Sequence, residues 1–128
     1  MNLECKQLLR IGAYFSLASL FKPVYSPIAW FKVGTLSELT ELRIGWNGLR
    51  YLPDSIARLN KLDVLELCRN ELGVVPDSVM RMTWLKKLDI YGNGLEMIPA
   101  GLGNFSDLEH FVCGWNRLTE LPKEVLNF

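Results

Sequence analysis

Between residues 39 and 128 one apolar pattern recurs four times at a spacing of 23 residues, without insertion. Its clearest copy reads Leu62, Leu65, Leu67, Asn70, Leu72, Val75, Pro76, Val79, Met82. One period earlier it reads Leu39, Leu42, Ile44, Asn47, Leu49, Leu52, Pro53, Ile56, Leu59. The later copies read Leu85, Leu88, Ile90, Asn93, Leu95, Ile98, Pro99, Leu102, Phe105, and then Leu108, Phe111, Cys113, Asn116, Leu118, Leu121, Pro122, Val125, Phe128. Asn and Pro keep their columns in every copy. A chain of this kind must stack equivalent units, because no single copy can enclose its own apolar side chains.

Within a copy the apolar period changes. Leu65 and Leu67 are two apart, so they point to one side of a short strand. Asn70 follows where the chain must turn and leave backbone polar groups inside. Its amide offers donors and an acceptor, so stacked copies are expected to form a ladder of Asn47, Asn70, Asn93 and Asn116. The inner positions Asn70 and Asn93 are expected to matter more than Asn116. Pro76 has no N–H to contribute and suits the first turn of a helix. Val79 and Met82, three apart, fit a short helical or 3-10 segment. The expected fold is α/β: a short solenoid with parallel strands on a concave face and short helical or 3-10 segments on the convex face. The glycines of Asn47-Gly48 and Asn93-Gly94 fall where a turn needs positive φ.

This pattern resembles the leucine-rich repeat family across residues 39–128. The 23-residue subtype, with its Leu-Pro-x-x-Ile-x-x-Leu second half, is similar to intracellular members of the Ras-suppressor and Scribble-like group and their plant and bacterial counterparts. The resemblance implies a protein-binding role and leaves the partner open.

Residues 1–38 depart from the repeat. Leu8, Ile11, Phe15 and Ala18 recur at helical spacing, which predicts a helix from about Leu3 to Leu20, stopped at Lys22-Pro23. It reads as a cap over the open edge of the first repeat. The rival reading is a targeting segment, since Lys6 and Arg10 precede the apolar run Ile11–Phe21. That run is too short to span a bilayer, and Glu4 lies in the would-be basic region. Ser26-Pro27 predicts a short helix at 28–32, closed by Gly34. Val33 and Leu36 lie one period before Ile56 and Leu59, so a degenerate half-repeat joins the cap to the solenoid.

Charge and cysteine usage narrow the function further. Fourteen basic residues balance fourteen acidic ones, which gives no basis for nucleic acid or anionic membrane binding. Three cysteines are an odd number and argue against a disulfide framework. Cys68 should face the concave side and Cys113 the core. They sit two repeats apart, roughly 10 Å at strand spacing, beyond the ~7 Å reach of a disulfide. A cytoplasmic setting follows. Asn104-Phe105-Ser106 is a glycosylation triplet that would matter only in a secreted chain.

No catalytic set emerges. The single histidine, His110, should face outward while Cys113 points inward, so they form neither a metal pair nor a Cys–His pair. No glycine-rich loop is placed to hold phosphate, and no cofactor or metal is implied.

What remains is a surface. Strand alternation assigns Glu41, Arg43, Gly45 and Trp46 to the concave side in repeat one, and Val64, Glu66, Cys68 and Arg69 in repeat two. Lys87, Asp89, Tyr91 and Gly92 follow in repeat three, then His110, Val112, Gly114 and Trp115. The candidate protein-binding residues are Arg43, Trp46, Glu66, Arg69, Lys87, Asp89, Tyr91, His110 and Trp115, because Trp, Tyr and Arg dominate binding hot spots. The competing reading folds the two indoles back over the Asn turns as a cover for the core.

The expected function is a non-enzymatic protein-protein interaction module that uses its concave face. Two alternatives stand beside it. One is a structural fragment or truncated array that self-associates through an uncapped C-terminal edge, exposing parts of Leu108, Phe111, Leu118, Leu121, Val125 and Phe128. The other is a membrane-attached or secreted repeat protein.

Overall fold

Each copy of the repeat becomes one coil. A computed structural model of the chain describes residues 32–127. The expected cap helix and Phe128 lie outside them, as does nearly all of the expected helix at 28–32. Four short strands, β1 (Glu41–Arg43), β2 (Val64–Glu66), β3 (Lys87–Asp89) and β4 (His110–Val112), form one parallel sheet in the order β1-β2-β3-β4. The register is the sequence period itself: Leu42 pairs with Leu65, Leu65 with Leu88 and Leu88 with Phe111.

The opposite side carries Val33–Thr35, Asp54–Arg58, Ala100–Asn104 and Lys123–Asn127 as 3-10 turns, and Asp77–Met80 as one α-helical turn. The proline column sits one place earlier than the sequence suggested. Pro53, Pro76 and Pro99 are the N-cap residues, extended at ψ 143, 140 and 135°. Their carbonyls accept the first amides of the turn, from Ile56, Val79 and Leu102, and the absent proline N–H leaves no donor unpaired. Gly34 lies inside the turn Val33–Thr35. Val33 is 3% exposed and packs in the column that Ile56 continues.

Leucine and its equivalents from every coil merge into one linear core. Leu65, Leu67, Leu85, Leu88 and Leu95 are fully enclosed between neighbouring coils, and burying each contributes roughly 1.5–3 kcal/mol. In the fourth coil Leu108 and Val125 are also buried, contrary to the expected exposure. Phe111, Cys113 and Leu118 are half-buried and Leu121 is exposed.

The Asn column closes the turns, but unevenly. Asn70 Oδ1 accepts the amides of Asn47 and Leu49 at 3.0 and 3.1 Å. Asn116 Oδ1 accepts those of Asn93 and Leu95 at 2.8 and 3.0 Å. Asn93 Oδ1 is buried and accepts no hydrogen bond. The cause is local. Copies one and three follow Asn with Gly48 and Gly94, both left-handed at φ 62 and 71°, which aims two amides at the next Asn. Copy two has Glu71 there, and its left-handed residue after the Asn is Gly73 at φ 70°. The amide of Gly73 instead donates to the main-chain carbonyl of Asn93 at 3.0 Å. Junctions therefore alternate in kind along the stack.

Candidate protein interface

Strand alternation carries the polar side chains of β1–β3 to the concave side. There they sort into two groups. The first is an ion-pair network. Arg43 donates to Glu41 at 3.0 Å and also to Glu66, and Lys87 donates to the same Glu66 oxygen at 2.7 Å. Burial alone would raise the Glu66 carboxyl pKa, but the hydrogen bonds from Lys87 and Arg43 outweigh it, and the group is held below the usual carboxylate range. Asp89 stays outside this network and accepts the Tyr91 amide at 3.0 Å. His110 is exposed on β4.

The second group lies just past the strand ends. Trp46, Arg69, Gly92 and Trp115 share one column, and all four are left-handed, with φ of 60, 56, 64 and 53°. Outside glycine such a conformation costs roughly 1–2 kcal/mol per residue. Three of the four copies nevertheless hold a large side chain there. Trp46 and Trp115 are each 73% exposed, so the indoles do not cover the core. Three strand spacings, roughly 14 Å, separate their coils, yet the indoles converge. The Arg69 guanidinium carbon lies 5.0 Å from the Trp46 ring centroid, 5.0 Å from Tyr91 and 4.5 Å from Trp115. Tyr91 and Trp115 stack at 6.1 Å with 24° between ring planes. Gly92 makes this possible: a Cβ there would stand 3.1 Å from Arg69 Cδ, across whose path the third coil offers only backbone.

The candidate residues thus divide. Arg43, Glu66 and Lys87 satisfy one another, whereas Trp46, Arg69, Tyr91 and Trp115 form one cluster, its indoles exposed and its Arg69 and Tyr91 half-buried. Sequence reasoning missed the role of Gly92, although its place in the Trp46 column was visible. It also missed an apolar stripe on another side, where Tyr51, Val74 and Met97 share a column and are 49, 67 and 68% exposed. An open groove of about 630 Å³ runs beside Met97, between the third and fourth coils.

Chemistry is sparse. Cys68 and Cys113 are unbridged, and burial raises both thiol pKa values, aided at Cys68 by the carboxylates of Asp89 and Glu66. Among the described residues no three or more His, Cys, Asp or Glu side chains gather where they would hold a metal ion. No helix among them is long and apolar enough to cross a membrane.

Comparisons with known proteins agree on the fold. A family model for the leucine-rich repeat matches residues 84–105. A leucine-rich-repeat protein of Leptospira interrogans superposes with a TM-score of 0.71 at 36% identity, covering 74% of this chain and 24% of that one. The crystal structure of PEPR1–AtPEP1 superposes with a TM-score of 0.63 at 31% identity, covering 74% of this chain and 14% of that one. The chain therefore spans a quarter or less of the proteins it resembles. None of the curated proteins matches it. One open sheet of four parallel strands, short turns opposite and these neighbours together define a short leucine-rich-repeat solenoid. Domains of this kind generally mediate protein–protein interaction.

Proposed function

We propose that the chain is a non-enzymatic module that binds a protein partner through the concave strand face, centred on Trp46, Arg69, Tyr91 and Trp115. The observation that carries this reading is the left-handed column. Strained backbone persists where surrounding structure and function require it, and here it places two exposed indoles around an arginine. Large aromatic side chains and arginine are the residue types that anchor interfaces. The setting proposed is the cytosol, in keeping with two unbridged thiols and with the resemblance of the repeat to intracellular members of the family; a signalling scaffold is the role such a module would serve.

The test is affinity capture followed by mass spectrometry, repeated with variants. Trp46→Ala, Arg69→Ala and Tyr91→Ala should each weaken capture of the same partner by more than ~1 kcal/mol with little change in thermal stability. Arg58→Ala, on the convex side, should leave capture intact. A partner whose binding ignores the concave variants and follows Arg58 would overturn the assignment.

A further inference from the structure

We infer that the Trp46–Arg69–Trp115 column receives an acidic side chain, Asp or Glu, of the partner protein. This rests on the concave-face reading above and names the chemistry of the partner.

Three cations occupy the concave side of β1–β3 and the turns that follow. Two of them, Arg43 and Lys87, already hold carboxylates. Arg69 alone has no carboxylate partner among the described residues; its neighbours are the faces of three aromatic rings. Ring faces are weak acceptors, so contact with them leaves the five N–H donors of a guanidinium with capacity for an acid. Those donors match a carboxylate in a two-pronged arrangement. The rings hold the arginine in place, so little conformational freedom is lost on binding, and the exposed indoles supply the water-excluding rim that strengthens a central charge-assisted contact.

Other ligand classes fit less well. An external cation finds the space between the rings already filled by the chain's own guanidinium. A phosphate dianion carries a second charge that calls for a second cation, and Arg43 and Lys87 already hold carboxylates. A single carboxylate needs one cation, and one is present. Strand β4 adds no acid to the face, since it contributes His110 and Val112.

The experiment selects random peptides displayed with their C-termini fused to the carrier, so that no terminal carboxylate is offered, on the wild-type chain. Selected sequences should share an Asp or Glu beside an apolar residue. The best of them, synthesised with an amidated C-terminus, should lose about tenfold in affinity, ~1.4 kcal/mol, when its acid is changed to the amide. The same change should have no effect on binding to Arg69→Gln. The peptide comparison uses unaltered protein, so it stands even if that variant folds poorly. Peptides that require Trp46 and Trp115 yet show no acid preference overturn this inference and leave the protein-binding reading intact. An acid preference that survives Arg69→Gln also overturns it, as does a peptide that binds only with a free C-terminal carboxylate. Peptides indifferent to Trp46→Ala, Trp115→Ala and Arg69→Gln alike, or no selected peptides at all, overturn both.

Discussion

Replacing the ladder asparagines one at a time with alanine should give unequal losses, and the inequality follows from the hydrogen bonds. Asn70→Ala strands two amides, those of Asn47 and Leu49, which have Asn70 Oδ1 as their acceptor. The carbonyls of Ile44 and Leu67, which accept from Asn70 Nδ2, keep second donors in Asn47 and Asn93. The net is two unpaired amides, one fully buried. At about 1–3 kcal/mol per buried group left without a partner, the loss is about 2–4 kcal/mol. Asn93→Ala strands no amide, because its Oδ1 accepts none. The carbonyls it serves, Leu67, Ile90 and Tyr91, retain donors in Asn70, Asn116 and the Arg69 amide. Its loss should be about 1 kcal/mol, the net worth of ordinary hydrogen bonds. Asn116→Ala strands the amides of Asn93 and Leu95 in a less buried setting, for about 1–3 kcal/mol. The expected order is Asn70, then Asn116, then Asn93, with the last two reversed from what position in the array alone suggests. Thermal unfolding reads it directly, since 1 kcal/mol corresponds to about 4 °C in a chain of this size. A melting temperature for Asn93→Ala as low as that for Asn70→Ala would refute the reasoning.

Other outcomes follow from single features. Gly94 has φ 71° with nothing near its missing Cβ, so Gly94→Ala should cost about 1–2 kcal/mol through backbone strain alone, measured by urea unfolding. Glu66 has a carboxyl pKa lowered by folding, so its contribution is complete above the unfolded value and is lost as pH falls through the folded one. Glu66→Gln should therefore flatten the acid limb of the stability profile while changing its slope little at neutral pH. Cys68 and Cys113 have raised thiol pKa values; residue-resolved alkylation at neutral pH should label both more slowly than a free model thiol.

The period made most of the fold legible. It gave the strand positions, the parallel register and the core columns, because a strict repeat forces equivalent residues into equivalent places. Strand alternation likewise told which side chains share the concave side. The convergence of Trp46 and Trp115 on Arg69 was not legible. It depends on how long side chains lean across neighbouring coils, and on the absence of one at Gly92. The broken ladder was legible in principle: copies with Asn-Gly donate two amides to the next Asn, and the copy with Asn-Glu does not. The half-buried setting of Cys113, in a column that is fully enclosed at Leu67 and Ile90, reflects its place in the fourth coil and not its residue type.

The alternation of junctions also sets how the array can be rebuilt. A copy with Asn-Gly faces forward to a copy without it, and the two interlock through the Asn side chain. Between such couples a main-chain bond, Gly73 amide to Asn93 carbonyl, replaces the Asn Oδ1 interlock, and Asn93 still donates to the Leu67 carbonyl. An extra copy would set two turns of the same kind side by side: one with Asn-Gly would repeat the Asn interlock, since every copy offers an Asn Oδ1, and one without it would repeat the other junction. Splicing in a couple would keep the alternation. The smallest unit by which this chain can be lengthened or exchanged with the alternation kept is therefore two repeats, although its sequence counts in ones.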